Sequence, residues 1–178
     1  VSAFADDQLN ELVNAGALQD ILLNPDDIKS RNLPGSVDAA TLNDKLYAYP
    51  MTADNGYFLY YDASVLTAED VQSMDTMLEK AAAAGKKFMM SVNDAWYIYS
   101  CYAGAGLVAT LAEDGINTVC NWNEAPGADV TQAILDITVN PGFKSGAEAD
   151  IVSAIKDGSC CAAISGTWNA NTAEGAWG

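Results

Sequence analysis

The stretch KLYAYPMTADNGYFLYYD, residues 45–62, decides the fold. Its first arm sets Leu46, Ala48 and Pro50 in alternation with Tyr47 and Tyr49, and its second runs through Tyr57, Phe58, Leu59, Tyr60 and Tyr61. Aromatic and period-two patterning of this kind predicts two strands. The short polar crossing between them exposes Asp54 and Asn55, and a carboxylate held at such a seam faces whatever lies in the cleft.

Outward from this seam, strands and helices alternate. Asp6 or Asp7 is placed to cap a helix carrying Leu9, Leu12 and Val13 on one face, with Gly16 ending it. Residues 17–44 are mixed: a short apolar turn at Leu18, Ile21, Leu22 and Leu23, then a polar loop with Pro25, Pro34 and Gly35. Thr67 and Asp70 form a capping-box pattern ahead of Val71, Met74, Leu78 and Ala81, with Met74 and Met77 as core filler. The strand KKFMMSV, residues 86–92, delivers the chain to Asp94 and Trp96, with Asp94 near the start of the next helix, where the helix dipole favours a carboxylate. Residues 107–111 and 116–121 flank Glu113, Asp114 and Gly115 as a hairpin. Two helices follow, one bearing Val130, Ile134 and Ile137, the other capped by Ser145 with Glu148 and bearing Ile151 and Ile155. Gly158 stops the last of these, and residues 160–164 form a buried strand of small side chains ending at Ser165, Gly166, Thr167 and Trp168. Strands alternating with helices give an α/β fold, and the hairpin adds antiparallel character.

A chain of 178 residues, half of them apolar, is long enough to bury a substantial core. Its 24 acidic residues against 8 basic ones leave a formal charge of −16, a field that repels nucleic acid and anionic lipid headgroups. The plain reading of that excess is a solvated acidic surface. No run of apolar residues is long enough to span a bilayer, so direct membrane insertion is not expected. Histidine is absent, which removes histidine-based triads and histidine-ligated metal hydrolysis. Cys101, Cys120, Cys160 and Cys161 have no C-x-x-C spacing, so no zinc site is expected; they read as small buried side chains. In an exported protein a bond from Cys120 to Cys160 or Cys161 is open, since both segments read as strands.

One pattern recurs at the strand ends: an apolar strand followed at once by a carboxylate or an aromatic ring. Phe4 with Asp7, Asp94 with Trp96, and Trp168 share it, and the Asp54 crossing with Asn55 adds a fourth instance. Ligands of open α/β sheets lie beyond the carboxyl ends of strands, so these residues are placed to converge. A sugar suits such a pocket, because indole and phenol faces cover the apolar face of a pyranose while carboxylates accept from its hydroxyls. Trp122 and Trp177 read instead as packing residues, Asp62 as a turn residue, and Tyr97, Tyr99 and Tyr102 as lining a helix–sheet interface.

In their order, Tyr49, Pro50, Asp54, Tyr61 and Asp62 resemble the substrate-binding proteins of sugar ABC transporters, close to the maltodextrin-binding type. In that family a strand ending in Tyr-Pro crosses between lobes, sets an acidic residue at the sugar and continues into an aromatic strand. GSCCAAISGTW, residues 158–168, resembles the family's strand leading to its stacking tryptophan. The resemblance implies a type II periplasmic-binding-protein-like fold, a mixed sheet flanked by helices, mostly one lobe of two. Residues 1–53 would be a partial first lobe with the crossing strand, and 54–178 a second lobe incomplete at its C-terminal end. It further implies sugar contacts at Phe4, Asp7, Asp54, Asn55, Asp94, Trp96 and Trp168, no cofactor, and an ABC transporter permease as partner. The location would be extracellular or periplasmic, on a Gram-positive surface as a lipoprotein, with the signal and lipid-attachment region outside this chain. The sequence departs from the pattern at Gln8, where the family often has arginine.

The residues by themselves leave other functions open. Paired carboxylates such as Asp54 and Asp94 would serve glycoside cleavage. A binding protein for a peptide or polyamine would also use acids and aromatic faces, whereas an anionic solute would be repelled by Asp7, Asp54 and Asp94.

Overall fold

The computed structural model describes residues 2–53 and 55–178. A 3-10 turn at Asp6–Gln8 leads into α1 (Leu9–Asn14), followed by α2 (Pro25–Ser30) and α3 (Pro34–Ala39), then β1 (Thr41–Leu42), β2 (Lys45–Leu46) and β3 (Tyr57–Tyr61). Next come α4 (Met74–Ala83), β4 (Lys87–Met90), α5 (Ala95–Gly104), β5 (Ala109–Leu111) and β6 (Thr118–Cys120). The chain ends with α6 (Gly127–Thr138), β7 (Phe143–Ser145), α7 (Glu148–Asp157), β8 (Cys160–Gly166), a 3-10 turn at Thr167–Asn169 and α8 (Ala170–Trp177). Two compact units are formed: Val1–Asp54 with Ala109–Cys120, and Asn55–Val108 with Asn121–Gly178.

The first unit is held by a small cluster of Ile28, Ala40 and Leu46, with Ile21 and Ala48 packed against it. Pro25 and Pro34, read from sequence as loop residues, open α2 and α3. There the missing N–H would have no helical partner in any case, and the fixed φ is already helical. The β1–β2 hairpin turns through Asn43 and Asp44, both at positive φ, as a two-residue turn between right-twisted strands requires. No strand precedes Phe4 among the described residues, and neither Asp6 nor Asp7 caps the first helix: both lie within its opening 3-10 turn, behind Ala5. Their carboxylates still favour the positive end of that turn.

The expected aromatic strand before the crossing is only two residues long. Tyr47 N–H still donates to the Ala40 carbonyl at 2.9 Å, but beyond it the chain leaves the ladder: Pro50 offers no N–H, and Tyr49 and Met51 are largely exposed. The second aromatic arm is β3, as expected.

The second unit is built on a four-stranded sheet ordered β3-β8-β4-β7, with β8, β4 and β7 parallel and β3 antiparallel at one edge. On one face Leu66, Met77, Leu78, Ala81, Phe88, Met90, Tyr97, Phe143, Cys161 and Ala162 form the main core. On the other, Met89, Cys160 and Ala163 meet Ile151, Ala154 and Ile155 of α7, with Trp177 of α8 packed alongside. The alternation of Phe88, Met89 and Met90 between faces is the strand period of two. A bulge between Lys87 and Phe88 lets β8 set Cys161 and Ala162 on the same side. Each fully buried Leu, Ile, Met or Phe here contributes about 1.5–3 kcal/mol.

Three further local expectations are corrected. The Thr67–Asp70 box does form, with Thr67 N–H donating to Asp70 Oδ2 at 2.8 Å and Asp70 N–H to Thr67 Oγ1 at 3.2 Å. It closes a 3-10 turn at Asp70–Gln72, however, and α4 starts afresh behind Ser73, whose Oγ accepts from Thr76 N–H. Ser145 does not cap α7: it ends β7, and its Oγ accepts from Val92 N–H at 3.3 Å. The α7 cap is supplied by Asp150, which accepts from Ala147 N–H at 3.1 Å. All four thiols are free, so the Cys120 disulfide is not formed; Cys160 and Cys161 are fully buried while Cys120 is exposed. At Gly158 the chain turns out of α7 with φ +75, a conformation that favours glycine.

Candidate functional site

The parallel strands of the second unit end together, and their carboxyl ends carry the residues of interest. From β4 the chain passes to Asp94, the N-cap of α5, whose Oδ1 accepts from Trp96 N–H at 2.9 Å. That bond fixes the first turn of α5 and presents Trp96 at the surface, 47% exposed. Oδ2 of Asp94 meets no donor among the described residues, and Asp94 is itself exposed. From β8 the chain passes through Ser165 and Gly166 into the turn that carries Trp168, 53% exposed. From β7 it reaches Glu148 at the start of α7.

Close contacts tie these turns together. Tyr57, which opens β3 opposite Gly166 in register, lies edge-on to Trp96 with centroids 5.7 Å apart and against Tyr97 at 5.3 Å. The indole of Trp168 packs on Gly166 so closely that a Cβ there would fall 2.2 Å from its Cη2 and Cζ2. Tyr60 donates its phenol to the Gly166 carbonyl at 3.0 Å. Beneath this layer Glu148 accepts from three neutral donors: Tyr97 Oη at 2.9 Å on Oε2, and Ser165 Oγ at 2.5 Å and Asn169 Nδ2 on Oε1. Asn169 Nδ2 also donates to Ser165 Oγ at 2.9 Å. Ser165 is fully buried and Tyr97 nearly so. Burial first, then the bond to Glu148, pushes the Tyr97 phenol above its ordinary pKa, so it remains a donor.

Of the residues expected at a sugar site, Asp94, Trp96 and Trp168 thus gather on one edge of the second unit's sheet. Asn55 is exposed, just ahead of β3. Phe4, half-buried, and Asp7, exposed, belong to the first unit. Asp54 lies outside the described residues. Trp122 packs as expected, stacked on Tyr102 at 4.1 Å with an interplanar angle of 4°. Tyr99 lies near that same indole, at 6.3 Å, so these two tyrosines pack on Trp122 and only Tyr97 joins the sheet-face core. Sequence reasoning missed Glu148, Ser165 and Asn169. Glu148 three residues after Ser145 has the spacing of a capping box, and that reading absorbed it.

The family model for bacterial extracellular solute-binding proteins matches residues 1–178. This chain belongs to that family. Among solved structures similar to this family member, one determined with acarbose is 28% identical with a TM-score of 0.80, covering 98% of this chain and 45% of that one. A maltodextrin-binding protein from L. casei BL23, solved without ligand, is 24% identical with a TM-score of 0.74, covering 98% and 45%. A cyclo/maltodextrin-binding protein complexed with maltotetraose is 20% identical with a TM-score of 0.72, covering 97% and 46%. The latter two bear on the fold alone, and with the first they place this solute-binding protein in the periplasmic-binding-protein-like fold. It spans under half the length of these solved proteins. No protein among those curated for function matches the chain. No helix among the described residues is long and apolar enough to cross a membrane.

Proposed function

We propose that this solute-binding protein captures an oligosaccharide of the maltodextrin class, without catalysis, and delivers it to an ABC transporter permease. In this reading residues 1–53 belong to a partial first lobe and 54–178 to the second, Phe4, Asp7, Asp54 and Asn55 contribute contacts beside Asp94, Trp96 and Trp168, and hinge closure around the sugar is the working motion. The protein works outside the cytoplasm, in the periplasm or as a cell-surface lipoprotein.

One observation carries the reading: two half-exposed indoles stand at the carboxyl ends of adjoining parallel strands, and a carboxylate oxygen on Asp94 has no donor among the described residues. Large apolar rings cost free energy when left in water, and here they are pinned from below rather than buried. A pyranose face covers an indole, and its hydroxyls supply the donors that Asp94 Oδ2 lacks. The similar structure solved with acarbose supports a carbohydrate over a peptide or polyamine.

Calorimetry of the full chain against malto-, xylo- and fructo-oligosaccharides tests this. Binding to maltodextrins is expected, with Trp168→Ala weakening it about tenfold or more, the loss of one stacking platform plus its buried area. No heat with any sugar, or a Trp168→Ala variant equal to wild type, would defeat the proposal. A reducing-sugar assay in the same samples is expected to stay flat; sustained turnover would replace binding by hydrolysis.

A further inference from the structure

We infer that Glu148 is a positioning residue that holds the Trp96 and Trp168 turns in one arrangement from below, without touching ligand. The inference deepens the carbohydrate reading above and rests on it for its binding arm only.

Glu148 is not needed where its sequence position suggests, because Asp150 already caps α7. Its carboxylate instead reaches across the sheet edge to both indole-bearing turns. Oε2 takes the phenol of Tyr97, the residue after Trp96, whose ring also packs on Tyr57 beneath the Trp96 edge. Oε1 takes Ser165 and Asn169, the residues flanking the Gly166–Trp168 turn. A carboxylate only accepts, so all three partners must donate, and each of their orientations follows. The Asn169 amide is then fixed with Nδ2 inward, shared between Glu148 and Ser165. Three donors converging on one half-buried carboxylate, two of them from nearly or fully buried side chains, form a network that is stiff when complete and unstable when one member is missing.

This geometry separates two substitutions. Glutamine at 148 must keep its oxygen toward Ser165 and Asn169, because Asn169 Nδ2 cannot accept; its amide nitrogen then faces Tyr97, whose hydroxyl must turn round to accept it. Glu148→Gln therefore loosens the Trp96 side and spares the Trp168 side. Glu148→Leu removes every acceptor and loosens both.

The experiment records the indole N–H resonances of the full chain by proton–nitrogen correlation NMR, assigned through single Trp→Phe replacements, without sugar. Expected are a shift or broadening of Trp96 alone in Glu148→Gln, and of Trp96 and Trp168 together in Glu148→Leu, with Trp122 unmoved. Unmoved Trp96 and Trp168 in folded Glu148→Leu would overturn the inference, as would Trp122 moving equally, which is the mark of general loosening. Should Glu148→Leu fail to fold, the Trp96-only response of Glu148→Gln decides alone. The binding arm is a double-mutant cycle with maltodextrin. Glu148→Leu should weaken binding about tenfold in wild type and less in the Trp168→Ala background, since the part of its effect that passes through that ring is then already lost; full additivity would overturn the inference. Absence of sugar binding by wild type would remove the functional reading, while the indole resonances still decide the role of Glu148.

Discussion

Gly166→Ala probes the resting place of the Trp168 indole with one methyl group. The Gly166 backbone sits at φ −74, ψ 162, extended geometry open to any residue, so alanine meets no backbone strain. Its Cβ, however, would lie 2.2 Å from Cη2 and Cζ2 of Trp168 and 2.3 Å from Cε2. Carbon atoms settle at ~3.5–4.0 Å, so the ring must withdraw by about 1.3–1.8 Å. Trp168 is half-exposed, so it swings rather than breaking the β3–β8 ladder. An off-rotamer side chain costs ~0.5–1.5 kcal/mol, and the lower entropy of an unfolded chain with alanine returns ~0.4–1 kcal/mol. The net change in stability is thus within about 1 kcal/mol, whereas the stacking face is displaced by more than an ångström. Loss of an aromatic contact worth ~0.5–1.5 kcal/mol corresponds to about a two- to tenfold loss of maltodextrin affinity. Guanidinium unfolding, the Trp168 indole resonance and sugar calorimetry on Gly166→Ala measure these together, with Gly175→Ala, where a Cβ meets nothing within 4 Å, as control. A destabilisation of several kcal/mol would mean that the ring is locked. An unmoved indole with unchanged affinity would mean that Gly166 is not its seat.

Other expectations concern the scaffold. The Lys80 ammonium, 2.7 Å from Asp70, and the Thr67 N–H and hydroxyl hold the Asp70 carboxyl down at about 2. A depressed folded pKa gives stability that is complete above the ordinary 3.8 and is lost as pH falls through about 2. Thermal melts of wild type and Asp70→Asn should therefore differ at neutral pH and converge as pH drops across that window; a constant gap would refute the assignment. Burial pushes the Cys160 thiol up to about 12 and raises Cys161 and Cys101, while Cys120 is exposed. Ellman's reagent should react rapidly at Cys120 in the native protein, a phase removed by Cys120→Ser, and reach Cys160 and Cys161 only in denaturant. Gly142→Ala would set a Cβ 2.1 Å from the Leu78 carbonyl oxygen, a backbone atom of α4 that cannot swing aside. Destabilisation of about 1–3 kcal/mol or more is expected, read as a lower denaturant midpoint at unchanged slope.

The contrast between Gly142 and Gly166 shows what a sequence conceals. Both are glycines at the edge of a strand, and only the packed chain reveals that one faces an immovable carbonyl and the other a ring able to turn. Features carried by local chemistry were legible. The β3 aromatics, the Asp94 cap, the β5–β6 hairpin and the small-residue strand β8 each follow from patterns within a few residues. The Tyr49–Pro50 arm has the patterning of a strand but does not form one, because Pro50 cannot donate to a ladder and Tyr49 and Met51 are left largely exposed. β7 was missed because three residues are too few for a period-two signal, and pairing with β4 makes the strand.

Glu148 is the instructive miss. A serine followed three residues later by glutamate is a helix-start signature, and a helix does start there, so the sequence offered an explanation that left nothing over. The cap went to Asp150 because Ser145 was already engaged by Val92 across the sheet, which freed Glu148 to turn inward. Its partners lie at separations of 17, 21 and 51 residues. Only the parallel order β8-β4-β7 brings the three chain segments to one edge, and no local rule encodes that order. The same topology explains why exposed rings and buried polar groups coincide here. Parallel strands end together, each must turn into a helix at that edge, and the donors and caps freed by those turns satisfy one another underneath while the large side chains of the same turns are left facing outward.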